Sequence, residues 1–91
     1  MAEKYLKKAL KIIQEAKKHN STILDLRGFH LTKVPNEILD LSNLTNLDLS
    51  DNQLSSLPDS FSNLSNLAEL DLDDNQLSSL PDSFSNLSNL T

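Results

Sequence analysis

The sequence has no cysteine, no tryptophan and a single glycine among its 91 residues. Without cysteine, the chain has no disulfide framework, no thiolate zinc site and no thiol nucleophile. One glycine cannot build a glycine-rich phosphate loop. The only imidazoles, His19 and His30, lie neither beside a recognisable nucleophile nor in a metal-ligand spacing. We therefore predict that the protein is not an enzyme and that it carries no cofactor and no metal ion.

Long apolar runs are also missing. The lysine-rich start lacks the apolar stretch of a signal peptide, and no run approaches the about 20 apolar residues that a membrane span needs. These features predict a cytoplasmic protein without a membrane-spanning segment.

Leucine supplies nearly all of the large apolar volume, with 20 residues against three phenylalanines and one tyrosine. A length of 91 residues allows one small domain. A core built almost entirely from one type of side chain requires regular stacking, which favours a repeat protein.

A period of 23 residues runs through the chain from residue 21 onward. The copies span, in order, 21–43, 44–66, 67–89 and the first two residues of a fourth copy at 90–91. The second and third copies are identical at 20 of 23 positions, whereas the first is divergent. The chain thus divides into a segment 1–20 and a repeat array 21–91.

Two copies carry the spacing L-x-x-L-x-L-x-x-N-x-L, at 44–54 and again one period later. Within it, Leu47 and Leu49 alternate with polar residues, as in a short strand with one buried side. Copies of this strand are expected to stack as a parallel sheet. Asn52 and Asn75 follow the strand, where an amide can satisfy the backbone of a tight buried turn. They are predicted to form a ladder between coils.

The rest of each copy predicts a return path. Leu57-Pro58 is followed by a short turn that carries Phe61 and Leu64 inward and closes the coil. In the first copy, Phe29 takes the place of the ladder asparagine. The ladder is therefore not expected to be complete at its amino-terminal end.

The 23-residue form with Leu-Pro after the strand resembles the intracellular, Ras-group-related class of leucine-rich repeats, and its opening is similar to that of some bacterial Roco-type proteins. The resemblance covers residues 21–91. It implies an α/β fold, a leucine-rich-repeat solenoid of about three coils with a short parallel sheet. It also implies a scaffold for protein–protein contact whose concave strand side is the usual binding face.

The segment 1–20 predicts an amphipathic helix, because it has no glycine or proline and places Leu6, Leu10 and Ile13 at helical spacing. Asn20 suits the left-handed position after a helix. We predict that this helix caps the array by covering the apolar side chains of the first coil, which are Leu24, Leu26, Phe29, Leu31 and Val34. The alternative, a helix that binds membranes or nucleic acid, is disfavoured because the stripe lacks tryptophan and phenylalanine anchors.

Charge is divided sharply along the chain. The segment 1–20 has six lysines against two glutamates, whereas 21–91 has one arginine and one lysine against 11 acidic residues. Aspartates recur at equivalent strand positions, which predicts a column of carboxylates about 4.8 Å apart. The predicted partner-binding residues of this acidic face are Asp25, Asp48, Asp51, Glu69, Asp71, Asp73 and Asp74.

We predict that the partner of this face is a basic protein or peptide, and that it is neither nucleic acid nor a membrane. A solvated acidic face without a partner is the alternative. Calcium is disfavoured, because single carboxylates on rigid strands rarely supply six to eight oxygen ligands.

The carboxyl-terminal end of the array predicts a second kind of contact. Apolar side chains of the last coil have no further full copy to cover them, so a homodimer through this end is expected, with a two-fold axis. The predicted self-association residues are Leu70, Leu72, Leu77, Leu80, Phe84, Leu87 and Leu90. The alternative function is thus a structural or engineered self-associating unit without a natural ligand.

Overall fold

The structure, a computed structural model, describes residues 2–77. In this part of the chain, short parallel strands alternate with short 3-10 helices after one long α-helix. The elements are α1 (Ala2–Lys18), β1 (Ile23–Asp25), the 3-10 helix η1 (Asn36–Asp40), β2 (Asn46–Asp48), the 3-10 helix η2 (Asp59–Asn63) and β3 (Glu69–Asp71).

The three strands form one parallel sheet in the order β1-β2-β3. Their register follows the 23-residue period, since Leu24 pairs with Leu47 and Leu47 with Leu70. The central leucine of each strand points inward, and Leu24 and Leu47 are buried. This confirms the predicted α/β solenoid with a short parallel sheet.

The return path of each coil is a tight 3-10 helix. Pro35 and Pro58 precede η1 and η2 with extended backbones, at ψ of 133° and 150°. Ile38 and Phe61 occupy equivalent places in these helices and are completely buried. Because η1 contacts η2, the two helices stack as the strands do, and the core lies between the two stacks.

The predicted asparagine ladder is present. The Asn52 side chain is buried, and its Oδ1 accepts the backbone N–H groups of Phe29 at 3.1 Å and Leu31 at 2.9 Å. Its Nδ2 donates, at 3.0 Å each, to the carbonyl oxygens of Leu26, Leu49 and Ser50. Each amide thus serves its own turn and the turn of the preceding coil.

Asn75 repeats this arrangement one coil later, donating to the carbonyl oxygens of Leu49 at 2.9 Å and Leu72 at 3.0 Å. In the first copy, Phe29 stands at this position. A ladder asparagine there would serve a preceding coil, but α1 takes that place, and the Phe29 ring lies edge-on to the Tyr5 ring of α1 with the ring centroids 6.5 Å apart.

Helix α1 covers the first coil and packs against η1. Its buried side chains are Ala9, Ile13 and Ala16, while Leu10 is half-buried. The expectation that Leu6 joins this contact was wrong, because Leu6 is 40% exposed. The buried face of the helix is thus made of Ile13 and two small alanines, and Leu6 lies outside it.

The end of α1 is a Schellman motif. Asn20 adopts φ 52°, as predicted. The Ser21 N–H donates to the Ala16 carbonyl at 2.9 Å, and the Asn20 N–H donates to the Lys17 carbonyl at 3.3 Å. This turn directs the chain from the cap into the first strand. Across residues 2–77, no helix is long and apolar enough to cross a bilayer.

The strand face as a candidate protein-binding site

One continuous surface is formed by the outward side chains of the three strands and by the residues directly after them; we call it the strand face. Coil by coil, it consists of Ile23, Asp25, Arg27 and Gly28, then Asn46, Asp48 and Asp51, with Ser50 buried beside them, then Glu69, Asp71, Asp73 and Asp74. A groove of about 540 Å³ crosses the three strands. Five of the seven predicted partner-binding residues line it, namely Asp25, Asp48, Glu69, Asp71 and Asp73, whereas Asp51 and Asp74 lie in the turns that follow the strands.

The central column of the strand face is made of Asp25, Asp48 and Asp71, which lie opposite one another in the sheet register. One oxygen of each carboxylate accepts the backbone N–H two residues later, at 3.1, 2.9 and 3.0 Å respectively. The aspartates thus form the turns that end the strands. From the sequence we predicted only a binding role for them. The signal for a turn was an aspartate directly after the central leucine of each strand, because an aspartate side chain can accept the backbone N–H two residues later.

Asp48 has the most local support in this column. Its Oδ1 also accepts the Ser50 hydroxyl at 2.6 Å. Partial burial acts to raise the pKa of Asp48, but the hydrogen bonds from the side chain and backbone of Ser50 and the positive charge of Arg27 outweigh it, so this pKa lies below its usual value. Asp48 therefore stays charged at lower pH than an ordinary aspartate, and its contribution to stability is lost as the pH falls through that lowered pKa.

A second column follows the strands in a left-handed conformation. Gly28, Asp51 and Asp74 stand one period apart, with φ of 74°, 55° and 57°. Aspartate is one of the few residues that enters this region readily. Loss of solvent around the carboxylate and its close approach to Asp74 raise the pKa of Asp51. The folded state therefore loses stability as the pH rises through this raised pKa, because the repulsion then appears in full.

The only cation of the strand face is Arg27, whose Nη2 lies 3.8 Å from Asp25 Oδ2. Both side chains are exposed, so the pair contributes little to stability. Arg27 does change the electrostatic potential of the strand face, because it makes the first coil neutral while the second and third coils stay negative.

One residue of the strand face was not predicted. Ile23 is 67% exposed, and in the sheet register it lies beside Asn46, which in turn lies beside Glu69. The Asn46 side chain donates to Glu69 Oε2 at 2.9 Å. The repeat alignment contained the signal, since it places an apolar residue at a position that is polar in the other two copies.

The predicted self-association surface is described only in part. Leu70, Leu72 and Leu77 are half-buried. Their counterparts one coil earlier, Leu47, Leu49 and Leu54, are buried. The remaining residues of this prediction, Leu80, Phe84, Leu87 and Leu90, lie outside the described residues. Leucines that the repeat buries in the second coil are thus partly accessible in the third.

The two histidines lie in different surroundings. His19 Nε2 is 3.4 Å from Glu15 Oε2 on the helix, and the His30 ring lies 4.6 Å from the Tyr5 ring. Within residues 2–77, no group of three or more histidine or acidic side chains is arranged to hold a metal ion.

What the strand face offers chemically is a row of carboxylates that can attract cationic side chains.

Comparison with known proteins identifies the repeat. A family model described as leucine rich repeat matches residues 19–77 and 42–91. Among solved structures, the chain is similar to a leucine-rich repeat protein of Leptospira interrogans, with 38% identity and a TM-score of 0.77. That alignment covers 87% of this chain and 20% of the Leptospira chain. Comparison with curated proteins gave no match. From the repeat, the solenoid and these matches, the chain belongs to the leucine-rich repeat family.

Proposed function

We propose that this protein is a non-enzymatic interaction module that binds a basic segment of another protein through its strand face. Leucine-rich repeat domains serve generally as protein-binding scaffolds. The observation that carries the finer proposal is the stacking of aspartates into two columns on a face whose one cation, Arg27, is paired with Asp25.

The electrostatics of the two columns favour a cationic partner. Loss of solvent and the nearby carboxylate of Asp74 raise the pKa of Asp51, and a cation bound beside these two side chains would offset their repulsion. Asp48 keeps its charge because Ser50 stabilises it, so the face stays negative in the neutral range. Opposite charge on the partner would speed association and be screened by salt.

Replacing Asp25, Asp48, Asp71 and Asp74 with asparagine should abolish the binding of a basic partner while preserving the fold. Asparagine keeps an oxygen that can accept the turn hydrogen bonds and tolerates the left-handed conformation of Asp74. Fluorescence anisotropy with a labelled hexalysine peptide measures the effect. The affinity of the unaltered protein should fall as salt rises.

The matched control for this experiment replaces the exposed acids of η1, Glu37→Gln with Asp40→Asn, because they carry charge on the opposite stack. This control should retain binding. Equal binding by the strand-face variant and the unaltered protein would show that the assigned site is wrong, as would a partner that contacts only the 3-10 helix side.

A second candidate function is self-association through the third coil, favoured by the partial exposure of Leu70, Leu72 and Leu77. Fully burying a leucine contributes about 1.5–3 kcal/mol, before the entropy of association is subtracted. The described surface therefore supports a modest two-fold dimer, in which Asp71 and Asp73 approach their counterparts.

Light scattering over a concentration series tests this dimer at low and high salt. Because the aspartates repel one another across the join, the dimer should become tighter at high salt, opposite to the binding of a basic partner. Leu72→Lys should abolish it, whereas Ile23→Lys, an equivalent change at the other end of the sheet, should not. A protein that stays monomeric throughout both series would contradict the dimer.

A further inference from the structure

The strand face changes character steadily from the first coil to the third. Its formal charge is zero at Ile23, Asp25, Arg27 and Gly28 of the first coil, −2 in the second coil and −4 in the third. The neutral end also has the exposed apolar side chain Ile23, whereas the equivalent position at the charged end is Glu69. One groove crosses the three strands, with lining residues from Ile23 in the first coil to Asp73 in the third.

We propose that the basic segment bound by this face is polarised and docks in one orientation, with an apolar side chain over Ile23 and its basic side chains over Asp71, Asp73 and Asp74. This inference rests on the proposed function and adds the direction in which the partner lies. The segment crosses the strands from the first coil to the third, because both the charge and the apolarity change in that direction, and its basic end follows the third coil from Asp71 to Asp74.

Two physical effects select this orientation. At the first coil, Arg27 repels a basic side chain, and covering the exposed Ile23 with an apolar side chain is favourable because it removes apolar surface from water. At the third coil, all four acidic side chains are exposed and attract cations. The reversed arrangement would place a lysine beside Arg27 and an apolar group against four carboxylates, which disfavours it through both effects.

The spacing sets the length of the segment. Neighbouring strands are about 4.8 Å apart, so the first and third coils are separated by about 10 Å. An extended chain rises about 3.3 Å per residue, and the apolar residue should therefore precede or follow the first basic residue by about three positions. A peptide such as Leu-Ser-Ser-Lys-Lys-Lys meets this requirement, and Ser-Ser-Ser-Lys-Lys-Lys lacks only the apolar side chain.

Binding of these two labelled peptides to the whole chain tests the proposal. The leucine peptide should bind about tenfold more tightly than the serine peptide, and Ile23→Ser should remove that preference without altering the salt dependence. Asp71→Asn should weaken both peptides about fivefold at low salt and reduce the salt dependence. Asp25→Asn is the comparison variant, because it removes the same charge and keeps the same turn at the end of the face that meets the apolar side chain; it should weaken binding less than Asp71→Asn, since its charge lies farther from the basic side chains.

The results separate this inference from the function on which it rests. If both peptides bind, but Asp25→Asn and Asp71→Asn weaken them equally, or Ile23→Ser leaves the leucine preference unchanged, the orientation is wrong and the acidic site stands. If neither peptide binds at any salt concentration, the proposed function fails and the orientation fails with it. Circular dichroism of each variant confirms that the exposed substitutions leave the fold intact.

Discussion

Asn52→Ala should lower the free energy of unfolding by about 3–5 kcal/mol, because it removes the acceptor of two backbone N–H groups and the donor to three carbonyl oxygens. A buried polar group left without a partner costs about 1–3 kcal/mol. The hydrogen bond from the Leu31 N–H is buried, so its loss would leave that group away from water. Since small domains are stable by only about 5–15 kcal/mol, much of the margin would be lost. Urea denaturation followed by circular dichroism measures the change.

The matched control for this substitution is Asn66→Ala. Asn66 also bridges two coils, but through one exposed hydrogen bond to the Ser42 carbonyl at 3.0 Å. Its loss should change stability by less than about 1 kcal/mol, because water replaces the missing partner. Hydrogen exchange at Phe29 and Leu31 should accelerate in the Asn52 variant alone. Equal destabilisation by the two substitutions would show that the buried hydrogen bonds of Asn52 contribute no more to stability than the exposed hydrogen bond of Asn66.

Ile13→Asp should unfold the array, or leave it with only a small part of its stability. Ile13 is 1% exposed, and a carboxylate there would lie without a partner in the buried apolar cluster that also contains Leu24 and Leu26. Burying such a charge costs several kcal/mol. Loss of the cooperative thermal transition in circular dichroism is the expected readout, and Leu10→Asp added to Ile13→Asp should complete the loss.

The neighbouring residue offers a close comparison for the cap. Ile12→Asp makes the same chemical change one position away, where the side chain is 37% exposed. It should cost less than about 1 kcal/mol, since the carboxylate can reach water. Unchanged cooperative unfolding of the Ile13 variant would mean that the helix does not cap the array, and would favour the membrane-binding interpretation of its lysine-rich face.

The fold could be predicted from the sequence because the information is repeated and local. Leu47 and Leu49 define a strand by alternation, and the 23-residue period alone aligns that strand with its neighbours. Phe61 follows a proline that fixes the entry into the return path. A misplaced coil would bury polar residues in every copy at once, so few alternatives survive.

The details that escaped prediction depend on geometry between elements. Leu6 was assigned to the buried face because helical spacing identifies a stripe, while the tilt of the helix decides which part of the stripe is covered. The left-handed conformation of His30, φ 55°, likewise has no counterpart in the sequence pattern. The turn-forming role of Asp25 was missed because a carboxylate on a strand was considered only as a charge.

For the strand face, the sequence identified the acidic columns but not their asymmetry. Asp48 and Asp71 follow from the repeat, so their stacking needed no further information. Ile23 and Glu69 occupy equivalent positions in the first and third copies, and the contrast between them appears only when the copies are compared for their differences. Departures from a repeat are therefore the places where binding specificity is to be sought.

The way each ladder asparagine divides its hydrogen bonds also bears on how such a chain lengthens. Asn52 and Asn75 each form hydrogen bonds to the turn of their own coil and to the turn of the preceding coil. A coil added between them could therefore make the same hydrogen bonds to both of its neighbours. An in-frame duplication of 23 residues would then extend the sheet by one strand, about 4.8 Å, with every existing contact recurring at the new join. Unequal recombination between near-identical copies adds or removes whole coils. The number of carboxylates in a column can therefore change while the fold stays the same.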